Sequence, residues 1–83
     1  MEAIDRLNRS DEVTVTIYSP DDTRLYQSTT TGWHSIEEAI KAAIAAAGLS
    51  VNPEACVFQV DDVTSGISHH YRINAHGHLK LIV

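Results

Sequence analysis

The sequence predicts one small α+β domain with the element order ββαβββ, an antiparallel or mixed sheet, and one helix packed on one face of that sheet. Three patterns lead to this fold class. Apolar and polar residues alternate strictly in EVTVTIYS, a capped helical repeat occupies the middle of the chain, and a hairpin pattern rich in histidine follows near the end. A chain of 83 residues has room for a single domain, which we assign to residues 12–83.

The N-terminal segment, residues 1–11, stands apart from this domain. Residues 2–9, EAIDRLNR, place Ala3, Ile4 and Leu7 on one side of a short helix, although fraying fits such a short terminal segment equally well. The start of the chain lacks the apolar core of a secretory signal, so we expect a cytoplasmic protein. The run AAIAAAGL is far shorter than the ~18–20 residues of a membrane span, so no membrane partner is expected.

The first two strands form a predicted hairpin. In residues 12–19, three apolar residues alternate with Thr14, Thr16 and Tyr18, which is the period of a half-buried strand. Residues 20–23, PDDT, supply turn chemistry, and RLYQSTT continues as a second strand at residues 24–30. The pattern does not fix the register of this strand, because Leu25 is its only clear inward anchor. Tyr18 and Tyr26 are then available on a threonine-rich outer face, where β propensity explains them first and binding second.

The helix has the strongest pattern in the chain. Ser35 stands at the N-cap with Glu38 three residues later, which is a capping box, and Gly48 occupies the position of a left-handed C-terminal cap. Apolar residues follow at helical spacing: Ile36, Ala39, Ile40, Ala43, Ile44 and Ala47. The opposite side carries Glu37, Glu38 and Lys41, then Ala42, Ala45 and Ala46. These alanines indicate either high helix propensity or a smooth surface for a partner helix.

Trp33 follows Gly32 just before the helix cap. An aromatic side chain at this position is either a lid on the core or an anchor of a protein interface. We therefore regard Trp33 as a candidate binding residue.

A third strand and a final hairpin complete the predicted sheet. Residues 55–62, ACVFQVDD, contain a nearly continuous apolar run, which predicts a central strand covered on both faces. The hairpin is built from ISHHYRIN and HLKLIV around the three-residue loop Ala75-His76-Gly77, with glycine in the left-handed position. The register that keeps the apolar residues together pairs Asn74 with His78, Ile73 with Leu79, Tyr71 with Leu81, and His69 with Val83.

This register separates the histidines of HHYRINAHGH. His70 and His78 share the outer face about 13 Å apart, His69 points inward, and His76 lies at the turn. A zinc ion needs three or four ligands within about 2.0–2.3 Å, so we expect no metal site within one chain. His76 and His78 could form only a weak two-ligand site, or complete one across a dimer.

The residues also argue against catalysis. Cys56 is the only cysteine and lies in a strand predicted to be buried, where a thiol is usually inert. No glycine-rich phosphate loop, nucleophile elbow or HExxH spacing occurs. We therefore expect a protein that is not an enzyme and needs no cofactor.

Charge and size narrow the choice of partner. The formal net charge is −5 and the six Lys and Arg residues are scattered, so a nucleic-acid partner is not expected. The doublets Asp21-Asp22, Glu37-Glu38 and Asp61-Asp62 could mimic nucleic acid, although turns and helix starts explain them locally. A domain this small has a limited core, and a homodimer that shares apolar surface would relieve that shortage.

Three hypotheses about function remain open. The first is a small non-enzymatic protein-interaction module with an unknown protein partner; its candidate binding residues are Trp33, Tyr18, Tyr26, Arg72, His76 and His78. The second is a compact acidic inhibitor that occludes a basic site on a larger protein, by analogy with some phage-encoded inhibitors. The third is a metal-binding or pH-responsive protein that uses His70, His76 and His78, because protonating all five histidines would move the formal charge from −5 to zero.

Overall fold

The structure is a computed structural model that describes residues 12–33, 35–48, 52–74 and 76–82. Its elements follow the chain in this order: β1 (Val13–Tyr18), β2 (Arg24–Thr30), α1 (Ile36–Ala47), a 3-10 turn (Pro53–Ala55), β3 (Val57–Asp62), β4 (Ile67–Ile73) and β5 (Leu79–Leu81). This order confirms the predicted ββαβββ fold class. The predicted helix at residues 2–9 lies outside the described residues.

The five strands form one sheet in the spatial order β2-β1-β3-β4-β5. Every neighbouring pair is antiparallel, so the sheet is antiparallel rather than mixed. The chain passes from β2, at one edge of the sheet, to β3, which lies beside β1. The segment that connects these two strands contains α1. The two edges of the sheet are β2 and β5.

The core lies between α1 and the central strands. Val13, Val15 and Ile17 of β1 are all buried, as their alternation predicts. Ile17 lies at the centre of the core because it pairs with Tyr26 of β2 on one side and with Phe58 of β3 on the other. The buried side chains of α1 complete this cluster: Ile36, Ala39, Ile40 and Ala43. The helix packs over β1, β2 and β3, and it leaves β4 and β5 largely outside its cover.

Both predicted caps of α1 are confirmed. The Ser35 hydroxyl accepts a hydrogen bond from the backbone N–H of Glu38 at 3.2 Å. The Gly48 N–H donates the last helical hydrogen bond, to the carbonyl of Ile44, and the chain leaves the helix at Gly48 with a φ of 89° and a ψ of −170°. With twelve residues, α1 is the longest helix of the described residues, and none of these helices has the length and apolar character to cross a bilayer.

The expected inward position of Leu25 is wrong. The Tyr18 pair with Arg24 would bring Leu25 opposite Ile17, but a bulge shifts the register by one residue and brings Tyr26 there instead. Leu25 is consequently 45% exposed. Tyr26 moves from the predicted outer face to the helix side of the sheet, where it packs against the core.

β3 lies at the centre of the sheet, between β1 and β4, as predicted. Within the described residues its predicted cover on both faces is only partial, because α1 lies on one face and Val57 and Gln59 are half-buried on the other. The strand begins at Val57, and Cys56 is buried just before it. We call the side of the sheet away from α1 the open face.

The predicted register of the last hairpin is confirmed for its described pairs. Ile73 pairs with Leu79 and Tyr71 with Leu81, and the Asn74 N–H donates to the carbonyl of His78 at 3.0 Å. Gly77 has a φ of 80°, the left-handed conformation that this loop requires. The expected partner of His69, Val83, lies outside the described residues.

Candidate functional site

An apolar groove of about 200 Å³ lies between α1 and edge strand β2. One wall consists of helix methyl groups from Ala42 and Ala46, together with the more deeply placed Ala43. The other wall consists of Tyr26, and Trp33 also lines the groove. We call this feature the Trp33 groove. It joins two of the residues singled out in the sequence, Trp33 and Tyr26, with the alanine side of the helix.

Local chemistry holds Trp33 in position. The indole Nε1–H donates to the Thr30 hydroxyl at 2.6 Å, and the ring packs against the core. Trp33 is half-buried, so it covers part of the core and also lines the groove. Trp33 can therefore be both a lid on the core and an anchor for a partner, so the two interpretations do not exclude each other.

The groove lining is apolar and hydroxylic. Besides the alanines and the two aromatic rings, it contains Val15 and the hydroxyl residues Ser28 and Thr30. Among these lining residues there is no carboxylate, imidazole, thiol or amine. The described lining residues of the groove therefore offer shape, apolar contact and a few hydroxyl groups.

The size of the groove limits what it can hold. Pockets for drug-sized ligands usually have volumes of about 300–1,000 Å³, whereas an apolar cavity of about 150 Å³ holds a benzene ring. A volume of about 200 Å³ therefore corresponds to one large apolar side chain.

The groove borders edge strand β2, which has one strand neighbour, β1, among the described residues. β2 has seven residues, and residues 26–30 contain neither charge nor proline. Charge, proline, short length and β-bulges protect edge strands from pairing, and the bulge of β2 lies at Leu25, before residues 26–30. The opposite edge, β5, is protected by two of them, because it has three residues and contains Lys80.

The other candidate residues lie away from the Trp33 groove. Tyr18 shares the open face of β1 with Thr16, whose hydroxyl accepts a hydrogen bond from the Gln27 amide at 3.0 Å. Arg72 is exposed on the open face of β4, directly opposite Lys80 of β5. The predicted set is thus divided between the two faces of the sheet.

The histidines of the hairpin are divided as the predicted register requires. His69 pairs with Val60, and its ring lies 6.3 Å from that of Tyr71 in an edge-on contact. His70 pairs with Gln59 on the open face. At the turn, the centroids of the His76 and His78 rings are 6.4 Å apart.

Asn74 shapes this turn. Its carboxamide oxygen accepts hydrogen bonds from the backbone N–H groups of His76 and His78 at 2.9 and 3.0 Å. Asn74 therefore holds the backbone of the turn, and its two hydrogen bonds do not involve the imidazole rings of His76 and His78. Over the described ranges, no three His, Cys, Asp or Glu side chains converge as a metal site would require.

Among the described residues outside the groove, two ionisable groups have a shifted pKa. Burial raises the pKa of the Cys56 thiol, which is 2% exposed, so the thiol stays protonated and is protected from reagents. Hydrogen bonds from Ser19 and Thr23 lower the pKa of Asp21 in the β1–β2 turn. Both effects are explained by local structure.

Sequence reasoning missed the contribution of β2 to the groove. Ser28 and Tyr26 line it only because the bulge turns them toward α1. The signal that was present is the spacing of Ala42 and Ala46, which are four residues apart and therefore share one side of the helix.

Comparisons of the chain with protein-family models, with curated proteins and with solved structures give no match.

Proposed function

We propose that this domain is a non-enzymatic protein-interaction module that binds an extended segment of a partner protein along β2. The bound segment adds a strand to the sheet and inserts one apolar side chain into the Trp33 groove. The observation that carries this proposal is the position of the groove, which opens beside the uncharged, proline-free part of the edge strand.

Strand addition separates affinity from specificity. Backbone hydrogen bonds to the edge strand supply affinity with little dependence on sequence, and pockets for alternate side chains supply specificity. In this domain β2 offers the backbone, and the Trp33 groove offers one such pocket. Aromatic residues such as Trp33 and Tyr26 are also among the side chains most enriched at the centres of protein interfaces.

The groove chemistry favours a polypeptide over a small substrate. Its volume suits one side chain, and none of its described lining residues is a carboxylate, imidazole, thiol or amine. The hydroxyls of Ser28 and Thr30 add polar contacts on the β2 side. The bound side chain is thus expected to be apolar, with polar neighbours on the flanking backbone.

A peptide-display selection on the full chain tests this proposal and does not require the partner to be identified. A random peptide library is selected on the wild-type chain, and enriched peptides are synthesised and titrated by isothermal calorimetry. We expect enriched peptides with alternating β-forming residues and an apolar side chain at one fixed position.

Two matched variants locate the binding site. Ala46 and Ala45 are adjacent, exposed alanines of α1, but only Ala46 lines the groove. Ala46→Arg is expected to weaken binding of the selected peptides by more than tenfold, about 1.4 kcal/mol, because the arginine fills the groove. Ala45→Arg makes the same change of charge and helix propensity outside the groove and is expected to leave affinity unchanged.

The opposite results overturn the proposal. The proposal is overturned if the library yields no specific binder. It is also overturned if Ala45→Arg and Ala46→Arg weaken the affinity of the selected peptides equally. Pairing of β2 with the β2 of a second copy is a distinct outcome that fills the same site. Such a homodimer predicts that the mass measured by sedimentation rises with protein concentration and that Ala46→Arg lowers this mass. In that case the second copy, and not a segment of another protein, occupies the site.

A further inference from the structure

The carboxylates of this chain are segregated from its last hairpin. All eleven Asp and Glu residues fall within residues 1–62, alongside four of the six Lys and Arg residues, which gives this part a formal charge of −7. Residues 63–83 contain Arg72, Lys80 and four histidines, with a formal charge of +2. The cations are scattered along the sequence, but the anions stop before β4.

The fold collects these groups on the open face of the sheet. Arg72 of β4 and Lys80 of β5 are exposed and lie directly opposite one another. His70 shares their face, since it is two residues from Arg72 along β4, and His78 is two residues from Lys80. We call these four residues the basic strip. It is about 13 Å long and one strand pair wide.

The fold itself does not require this arrangement. Like charges that face each other across a strand pair destabilise a sheet. Neither Arg72 nor Lys80 forms an ion pair with a carboxylate in the part of the chain that the structure describes, where Lys41 with Glu37 is the pair that forms. The cost of placing Arg72 opposite Lys80 is therefore not offset within the described residues.

Among the described strand residues, Asp61 of β3 is the acidic residue on the open face, and it lies at the His70 end of the strip, away from Arg72 and Lys80. Asp61 of β3 lies opposite Ser68 of β4, four residues from Arg72 along that strand. Arg72 is therefore roughly 13 Å from Asp61, more than the Debye length of about 8 Å at physiological ionic strength, whereas His70 lies diagonal to Asp61 at about 7–8 Å. Both carboxylate oxygens of Asp61 also accept hydrogen bonds from the Gln59 amide at 3.1 Å.

We propose that the basic strip binds a carboxylate-rich segment of a partner protein. Side chains on one face of an extended segment repeat about every 6.6–7 Å, which matches the spacing of His70 from Arg72 and of His78 from Lys80. Two or three carboxylates on such a segment therefore fit the strip. The acidic remainder of the domain repels a polyanion that extends beyond the hairpin, and this favours a short acidic segment over nucleic acid.

This site is independent of the proposed function. The basic strip lies on the open face at β4 and β5, whereas the Trp33 groove lies on the helix side at β2, the opposite edge of the sheet. A domain with both sites can hold two segments at once. Failure of one site leaves the other unaffected, because they share no residue.

The test uses the full chain and a defined probe. The probe is a synthetic peptide in which glutamate and threonine alternate, labelled for fluorescence anisotropy, and the control peptide has glutamine in place of glutamate. We expect binding of the glutamate peptide alone, with affinity that falls as salt is raised. Amide shifts in the NMR spectrum are expected at the basic strip and not at β2.

Lys80→Glu and Lys41→Glu form a matched pair of variants. Both change the net charge by the same amount at an exposed lysine, but Lys41 lies on α1. Lys80→Glu is expected to weaken peptide binding by about tenfold, and Lys41→Glu by less than about twofold, because screening limits the effect of a distant charge. Lys80→Glu replaces a like-charge pair by an opposite-charge pair, so the variant is expected to fold.

Three results overturn the proposal. The first is no binding of the glutamate peptide at low ionic strength. The second is equal weakening by Lys80→Glu and Lys41→Glu, which would indicate a response to net charge alone. The third is tighter binding of an oligothymidylate of equal charge at the basic strip, which would make the ligand a nucleic acid.

Discussion

Arg72 and Lys80 face each other across β4 and β5 on the open face of the sheet, and no described carboxylate pairs with either of them. Two cations in this relationship repel each other, so the hairpin is less stable than its apolar pairs alone would make it. Natural proteins accept such costs at sites where binding requires them. The pair therefore links the stability of the hairpin to the proposed docking of an acidic segment.

Lys80→Glu is expected to stabilise the free domain. It converts the repulsive cross-strand pair into an attractive one, and we expect the free energy of unfolding in urea to rise by about 0.5–1 kcal/mol. Lys41→Glu is the control with the opposite sign, since it breaks the ion pair with Glu37 at 3.3 Å and should cost about 0.3–0.5 kcal/mol. Shifts of the same sign in both variants would contradict this electrostatic explanation.

Ser35→Ala is expected to destabilise the domain by about 1 kcal/mol. The Ser35 hydroxyl accepts from the N–H of Glu38, and this N–H loses its partner in the variant. The measurement is urea unfolding followed by circular dichroism. Ser68→Ala serves as the control, because Ser68 is exposed on β4 and its replacement should change stability by less than about 0.5 kcal/mol. Equal losses in both variants would show that the cap contributes nothing specific.

Cys56 is expected to react with iodoacetamide only when the protein unfolds. Its side chain is 2% exposed, and burial raises the pKa of the thiol. The folded state therefore retains the thiol proton at a pH where the unfolded state has lost it. Stability contributed by Cys56 is present below the unfolded pKa of about 8.5 and falls as the pH rises above that value.

Cys56→Val removes this thiol while keeping a buried apolar side chain. The difference in unfolding free energy between wild type and variant is expected to change between pH 7.5 and pH 9.5, in the direction of relative loss for the wild type. Alkylation of the folded wild type at the rate of the unfolded chain would show that Cys56 is accessible, in conflict with its burial.

The parts of the fold that the sequence predicts well are those in which two independent signals agree. In α1, the apolar spacing and the cap residues Ser35 and Gly48 define the same segment. In the last hairpin, the alternation around Tyr71 and the glycine at position 77 select the same register. Each signal alone permits other arrangements, and together they do not.

The register of β2 could not be predicted because a bulge decides it. One added residue in β2 exchanges the faces of Leu25 and Tyr26, and a threonine-rich strand gives no apolar pattern against which such a shift could be detected. In the preceding turn, Asp22 has a φ of 71°, which the sequence pattern of β2 does not reveal either.

The Trp33 groove depends on that same bulge, so the sequence predicted its residues without predicting their proximity. Trp33, Tyr26 and the alanine side of α1 each carry a signal of their own. Their convergence requires Tyr26 on the helix side, which only the structure shows.

Hydrogen exchange at β2, measured by NMR with and without a peptide selected on the wild-type chain, tests the proposed function most directly. In the free protein, alternate amides of residues 26–30 should exchange rapidly because they point away from β1 at the edge of the sheet. Binding is expected to protect these amides, leave those of β5 unchanged, and lose this effect in Ala46→Arg. Tight peptide binding with no added protection along β2, or with protection at β5 instead, would contradict strand addition beside the Trp33 groove.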